Sequence, residues 1–189
     1  MSHPVHSYIV LITLCLLGAA LLIQGYLLSQ RTQHFLGSPA IKAVWFITGK
    51  IAIFASWGLC IAKAINPELG WFVLFPPMPW FALVMLIPGS VIMAISFFQL
   101  GTSLKVGLPE QETMLKIKGL FSISRNPLYV GVYLTTVASC LYFPVIINII
   151  LAITGMIIHH LITLSEEKFL SDRFGKDYGE YRKKVRRYI

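Results

Sequence analysis

Five apolar runs, each near the length of a bilayer-crossing helix, constrain this chain more than any other feature. A spanning helix needs roughly 20 mainly apolar residues. Such runs extend from about Tyr8 to Leu28, Ala43 to Ile65, Trp80 to Leu100, Leu128 to Phe143 and Val145 to Leu164. Pro88 is expected to kink the third. Pro144 separates the last two, so they read as a tight helical hairpin. The composition agrees. Hydrophobic residues make up 56% and charged residues 13%, with mean hydropathy +0.72. A soluble chain carries about 25% charged residues. No strand-length segment alternates apolar and polar residues, so a barrel is not expected. The predicted class is all-α: one membrane domain over 1–189, a helical bundle of about five spans with a cytoplasmic C-terminal tail.

The first run is read as a retained span. The residues before it lack Lys and Arg, and the run exceeds the roughly 7–15 residues of a signal-peptide core. Between the second and third runs, Pro67, Pro76, Pro77 and Pro79 accompany Trp71 and Trp80. Proline blocks regular helix and tryptophan favours the headgroup zone, so this is an interfacial loop. Cys15, Cys60 and Cys140 sit in apolar runs without metal-ligand spacing and read as small packing residues.

Five spans place the termini on opposite sides. Of the sixteen Lys and Arg, fourteen then fall on one side and Lys63 on the other, with Lys50 inside a span and expected to snorkel toward the basic side. The positive-inside rule puts the C-terminus in the cytoplasm and the N-terminus outside. A net charge of +8 would suggest nucleic acid in a soluble protein. Here no groove-reading motif accompanies it, and the basic loop and tail suit membrane lipids with anionic headgroups.

Polar chemistry concentrates in the loop from Gly101 to Asn126 and in the tail from Glu166. Pro127 suits the first turn of the fourth helix and Asn126 its N-cap. Tyr129 and Gly131 follow on that turn, where glycine permits close approach of a backbone or ligand. Near the end of the fifth run stand His159 and His160, then Glu166 and Glu167. An offset of seven puts His159 with Glu166, and His160 with Glu167, on shared faces. Neighbouring histidines point apart and H-E-x-x-H is absent, which argues against a metal. Gly175 suits a helix C-cap, and the basic and aromatic residues beyond it suit a segment on the membrane surface. Either carboxylate has a plain reading as an interfacial charge and a functional one as a group pointing into the mouth of the bundle.

Two blocks resemble a known family. Gly119 through Gly131 is similar to a Gly-x-Tyr…Arg-His-Pro-x-Tyr-x-Gly pattern. Glu166-Glu167, with Phe174-Gly175, Tyr178 and Tyr181-Arg182, is similar to a Glu-Glu…Phe-Gly…Tyr…Tyr pattern. Both belong to the integral membrane methyltransferases that include isoprenylcysteine carboxyl methyltransferase and the phospholipid N-methyltransferases. The resemblance covers about Gly101 to Ile189; residues 1–100 match only as generic spans.

The resemblance implies S-adenosylmethionine as cofactor and a lipophilic or amphiphilic acceptor: an isoprenylcysteine-like carboxylate, a phospholipid amine, an isoprenoid alcohol or a small thiol. Carried over by position, cofactor contacts come from the loop at Thr113, Met114, Leu115, Lys116 and Phe121. They continue at Asn126, Pro127, Leu128, Tyr129 and Gly131 on the fourth helix, and end at Glu166 on the fifth. Arg125 and Glu167 are the candidate catalytic residues, orienting the acceptor or receiving a proton. Three positions depart from the pattern. Asn126 stands for His, and Phe121 for Tyr. Ile162 replaces an Arg that would hold a substrate carboxylate. The resemblance to bacterial members implies an inner membrane. Rival readings are a nicotinamide-dependent enzyme like the sterol reductases and a non-catalytic membrane module.

Overall fold

The computed structural model describes residues 4–31, 39–70, 77–101 and 114–189. Among these, five helices form a membrane bundle: α1 (Val5–Arg31), α2 (Ala43–Ile65), α3 (Met78–Leu100), α4 (Pro127–Tyr142) and α5 (Ile146–Lys184). Four are long and apolar enough to cross a bilayer; α4, with 16 residues, is shorter. At 1.5 Å per residue α4 rises about 24 Å, against a hydrocarbon thickness near 30 Å.

The expected α4–α5 hairpin is present, turned by Phe143, Pro144 and Val145. Its arms lean on different neighbours. α4 packs most extensively on α3, α5 packs on α2, and α1 rests against α3 and α2. The α3–α4 contact depends on two glycines. A Cβ on Gly131 would lie 2.7 Å from the Gly89 carbonyl oxygen and 2.7 Å from the Met93 nitrogen. Absent a hydrophobic drive between helices in lipid, such close backbone approach supplies the dispersion contact that holds them. Gly131 therefore serves helix packing and faces α3.

Large apolar side chains cover the outside, among them Leu22 at 76% and Ile146 at 73% exposure. A soluble fold does not present so continuous an apolar surface; lipid covers it. The interior instead holds a polar knot. The Ser56 hydroxyl donates to Asn148 Oδ1 at 2.6 Å, the Ser139 hydroxyl donates to the Ser56 carbonyl at 2.7 Å, and Asn148 Nδ2 donates to the carbonyls of Ser139 and Phe143 at 3.0 and 2.9 Å. Every one of these groups is buried, and the satisfied network ties α2, α4 and α5 together.

α5 runs far beyond its apolar part. Its 39 residues contain a break at Gly175, whose φ of 49° ends one helix and starts another. The tail beyond this break folds back onto the bundle through its tyrosines, while Lys176, Arg182, Lys183, Lys184 and Arg186 remain exposed. Tyr178 and Tyr181 are buried at 1% and 8% exposure, and residues 185–187 return to pair with the loop before α4.

Candidate functional site

The loop enters α4 through a one-turn 3-10 helix, Gly119–Ser122. Gly119 has φ 66° and packs against Gln99, whose Oε1 accepts from the Leu120 amide at 3.0 Å. A side chain at Gly119 would collide with Gln99. The turn buries Phe121 and presents its carbonyl to the Tyr181 hydroxyl, which donates to it. The Arg125 amide then donates to the Arg186 carbonyl at 2.9 Å and the Asn126 amide to the Arg187 carbonyl at 3.2 Å. The C-terminal residues thus act as a short strap across the start of α4.

Beneath this strap lies a charge cluster. Arg125 Nε and Nη2 donate to Glu167 Oε1 at 3.1 and 3.0 Å, and Arg125 Nη1 donates to the Val185 carbonyl at 2.7 Å. Asn126 Nδ2 donates to Glu167 Oε1 at 2.8 Å, and Arg187 Nε donates to Oε2 at 3.0 Å. Asn126 holds the N-cap position, as expected, yet makes no side-chain capping bond; its Nδ2 donates to Glu167. The Arg125 and Glu167 side chains are each 7% exposed. Glu167 accepts from three side chains, so it clamps the loop, α5 and the strap. The two candidate catalytic residues are bonded to each other.

Glu166, one position away, points differently. It accepts from the Tyr129 hydroxyl at 3.0 Å on one oxygen and lines a cavity of about 300 Å³. Tyr129 is held between Tyr133 and His159, at ring separations of 6.5 and 5.9 Å. His159 Nδ1 donates to the Gly155 carbonyl at 2.8 Å. His160 turns away to the Tyr188 hydroxyl at 2.7 Å.

The cavity lies at the end of the bundle that carries the loop and tail. Met114, Leu115, Lys116 and Phe121 line it from the loop, Asn126, Pro127, Leu128 and Tyr129 from α4, and Glu166 from α5; Arg125 also borders it. Glu167 and Gly131 do not line it. Thr113 lies outside the described residues. Ile162 is buried at 1% beside Phe46 and Ile158 and serves packing. The sequence reading missed the opposite wall, where Phe46, Lys50, Phe54 and Trp57 come from α2 and Met93 and Phe97 from α3. The α2 residues recur at helical spacing, the one signal that would have found them.

The region from residue 78 to residue 177 matches the description of the phospholipid methyltransferases. A match over more than half the chain defines the class: a membrane-embedded methyltransferase. The chain belongs to the phospholipid methyltransferase family. The match takes in α3, which the two sequence blocks alone do not cover, and leaves α1 and α2 outside. No curated protein and no solved structure matches the chain.

The groups facing the cavity suit the cofactor of such an enzyme. Tyr178 borders the cavity, with its hydroxyl buried beside Arg125. Glu166 has an oxygen with no hydrogen-bond donor among the described residues, and Phe121, Tyr129 and Phe169 supply aromatic surface.

Proposed function

We propose that this chain transfers a methyl group from S-adenosylmethionine to a lipophilic or amphiphilic acceptor, at the cytoplasmic end of a bundle whose N-terminus faces outward. The observation that carries the reading is the cavity between Glu166 and the Tyr129 turn, clamped by Arg125 and Glu167. When bound, the cofactor supplies a methyl group already activated by a sulfonium charge. No protein nucleophile is then required, and positioning supplies much of the rate.

The residues divide the work. Glu166 offers a carboxylate oxygen to ammonium or ribose hydroxyl donors. The rings of Phe121, Tyr129 and Phe169 favour a cationic ligand over water. Arg125 and Glu167 act as positioning residues: their ion pair fixes the turn at Asn126 to α5 and so holds Tyr129 opposite Glu166. The exposed apolar surface around the bundle supports acceptor entry from the bilayer.

Isothermal titration of purified protein with S-adenosylmethionine tests this reading. Saturable binding is expected, weakened by about tenfold or more in Glu166→Gln, the loss of roughly one charge-assisted hydrogen bond. Absence of saturable heat in the wild type contradicts it.

A further inference from the structure

Two turns deeper than Glu166, a histidine faces the cavity with one nitrogen unengaged. His159 precedes Glu166 by seven residues on one face of α5, about 10 Å further into the bundle at 1.5 Å per residue. Its ring is held on three sides. Nδ1 donates to the Gly155 carbonyl at 2.8 Å. Tyr129 stands edge-on, with ring centres 5.9 Å apart. Gly49 backs it from α2, where a Cβ would lie 3.5 Å from His159 Cε1 and 2.5 Å from Ile158 Cγ2. A carbonyl only accepts, so Nδ1 carries a proton. Nε2 has no hydrogen-bond partner among the described residues and is not sealed off, and His159 lines the cavity.

The other polar groups around the cavity are occupied or of the wrong kind. α2 contributes Lys50, α4 Tyr129 and α5 Glu166, while Lys116 and Arg125 border the cavity from the loop. Arg125 is paired with Glu167, and the Tyr129 hydroxyl donates to Glu166. The charge of Lys50 interacts with Glu166 across the cavity. An ammonium offers no acceptor, so His159 is left to take a proton. The wall at its depth is apolar, with Phe46, Phe54 and Trp57 from α2 and Met93 from α3. An ionisable group facing a cavity from within a spanning segment marks function. This depth suits an acceptor from the bilayer, whereas Glu166 and the loop serve the polar cofactor.

We propose that His159 is the catalytic base of the transfer, its Nε2 taking the proton that an amine or thiol acceptor loses before attack. The proposal rests on the reading of the cavity as a methyltransferase site and deepens it, because a carboxylate acceptor needs no base. The acceptor's ammonium or thiol passes one proton to Nε2. Its freed electron pair forms the bond to the methyl carbon, and the carbon–sulfur pair returns to sulfur. The imidazolium then releases its proton to water at the mouth of the cavity.

Two measurements test it. Nitrogen NMR of histidine-labelled, cofactor-free protein in uncharged detergent, assigned by the signals lost in His159→Asn, is expected to show a neutral ring protonated on Nδ1. Added dodecylamine is expected to shift Nε2. A neutral ring protonated on Nε2 overturns the proposal. Methyl transfer from labelled S-adenosylmethionine is then followed against pH with dodecylamine, dodecanethiol and dodecanoate as acceptors. Transfer to the amine or the thiol is expected, falling about a hundredfold or more in His159→Asn, with loss of the limb of the pH profile nearest neutrality. Asparagine keeps a donor for the Gly155 carbonyl, and imidazole is expected to restore part of the rate in His159→Ala. Transfer to dodecanoate alone, transfer to none of the three by protein that binds S-adenosylmethionine, or a His159→Asn rate within about tenfold of wild type overturns the proposal. Absence of S-adenosylmethionine binding by calorimetry removes the methyltransferase reading itself, and the spectra still decide whether His159 presents a basic nitrogen to the amine.

Discussion

Glu166 and Glu167 are neighbours in sequence and differ in what they touch. Successive helical residues are about 100° apart, so only one of the pair can face the cavity. Glu167 turns to Arg125, Asn126 and Arg187; Glu166 turns to Tyr129 and the cavity. The acidic pair was legible in the sequence, but its division was not, because the direction of each side chain depends on the rotation of α5. Replacing Glu167 by Ala leaves Arg125 buried without its counterion and is expected to destabilise the protein by about 3–5 kcal/mol in thermal or denaturant unfolding. Arg187→Ala is expected to cost about 1 kcal/mol or less, since its side chain is 32% exposed.

Among the elements, the helices were the most legible part. Their apolar runs need only length to be recognised in a bilayer, and Pro144 marks the hairpin turn. The contacts between them were hidden. Ser56, Ser139 and Asn148 are isolated polar residues in apolar runs, and nothing local connects positions so far apart. The strap was hidden for the same reason: the basic tail satisfied a surface reading while its backbone pairs with residues 124–126. Gly131 illustrates a close approach whose partner could not be told from sequence; it is α3. Gly131→Leu must separate α3 from α4 and is expected to destabilise by about 1–3 kcal/mol or more. Gly18→Leu, on α1 with open space around it, is expected to be tolerated in the same assay. Truncation before Val185 removes the carbonyls that hold Arg125 and Asn126. Reduced cofactor affinity with retained detergent solubility is the expected outcome, read by calorimetry and size-exclusion chromatography.

At the scale of the whole molecule, the arrangement gathers the start of α2, the end of α3, the start of α4 and the far part of α5 at one end of the bundle. Odd helices run one way and even helices the other, so residues separated by more than a hundred positions meet there. The charge asymmetry in the sequence pointed to this end before any contact was known. The α2 wall of the cavity was not legible, since α2 offers no motif beyond helical spacing. The central claim is that one cavity, between the Arg125–Tyr129 turn and the Glu166 region of α5, receives the methyl donor. Photo-crosslinking with labelled S-adenosylmethionine, followed by peptide mapping, tests it most directly. The account predicts label within residues 114–129 and 166–181, displaced by excess S-adenosylhomocysteine. Label confined to the opposite end, around residues 66–70 or 142–146, or label that excess product does not displace, would contradict it.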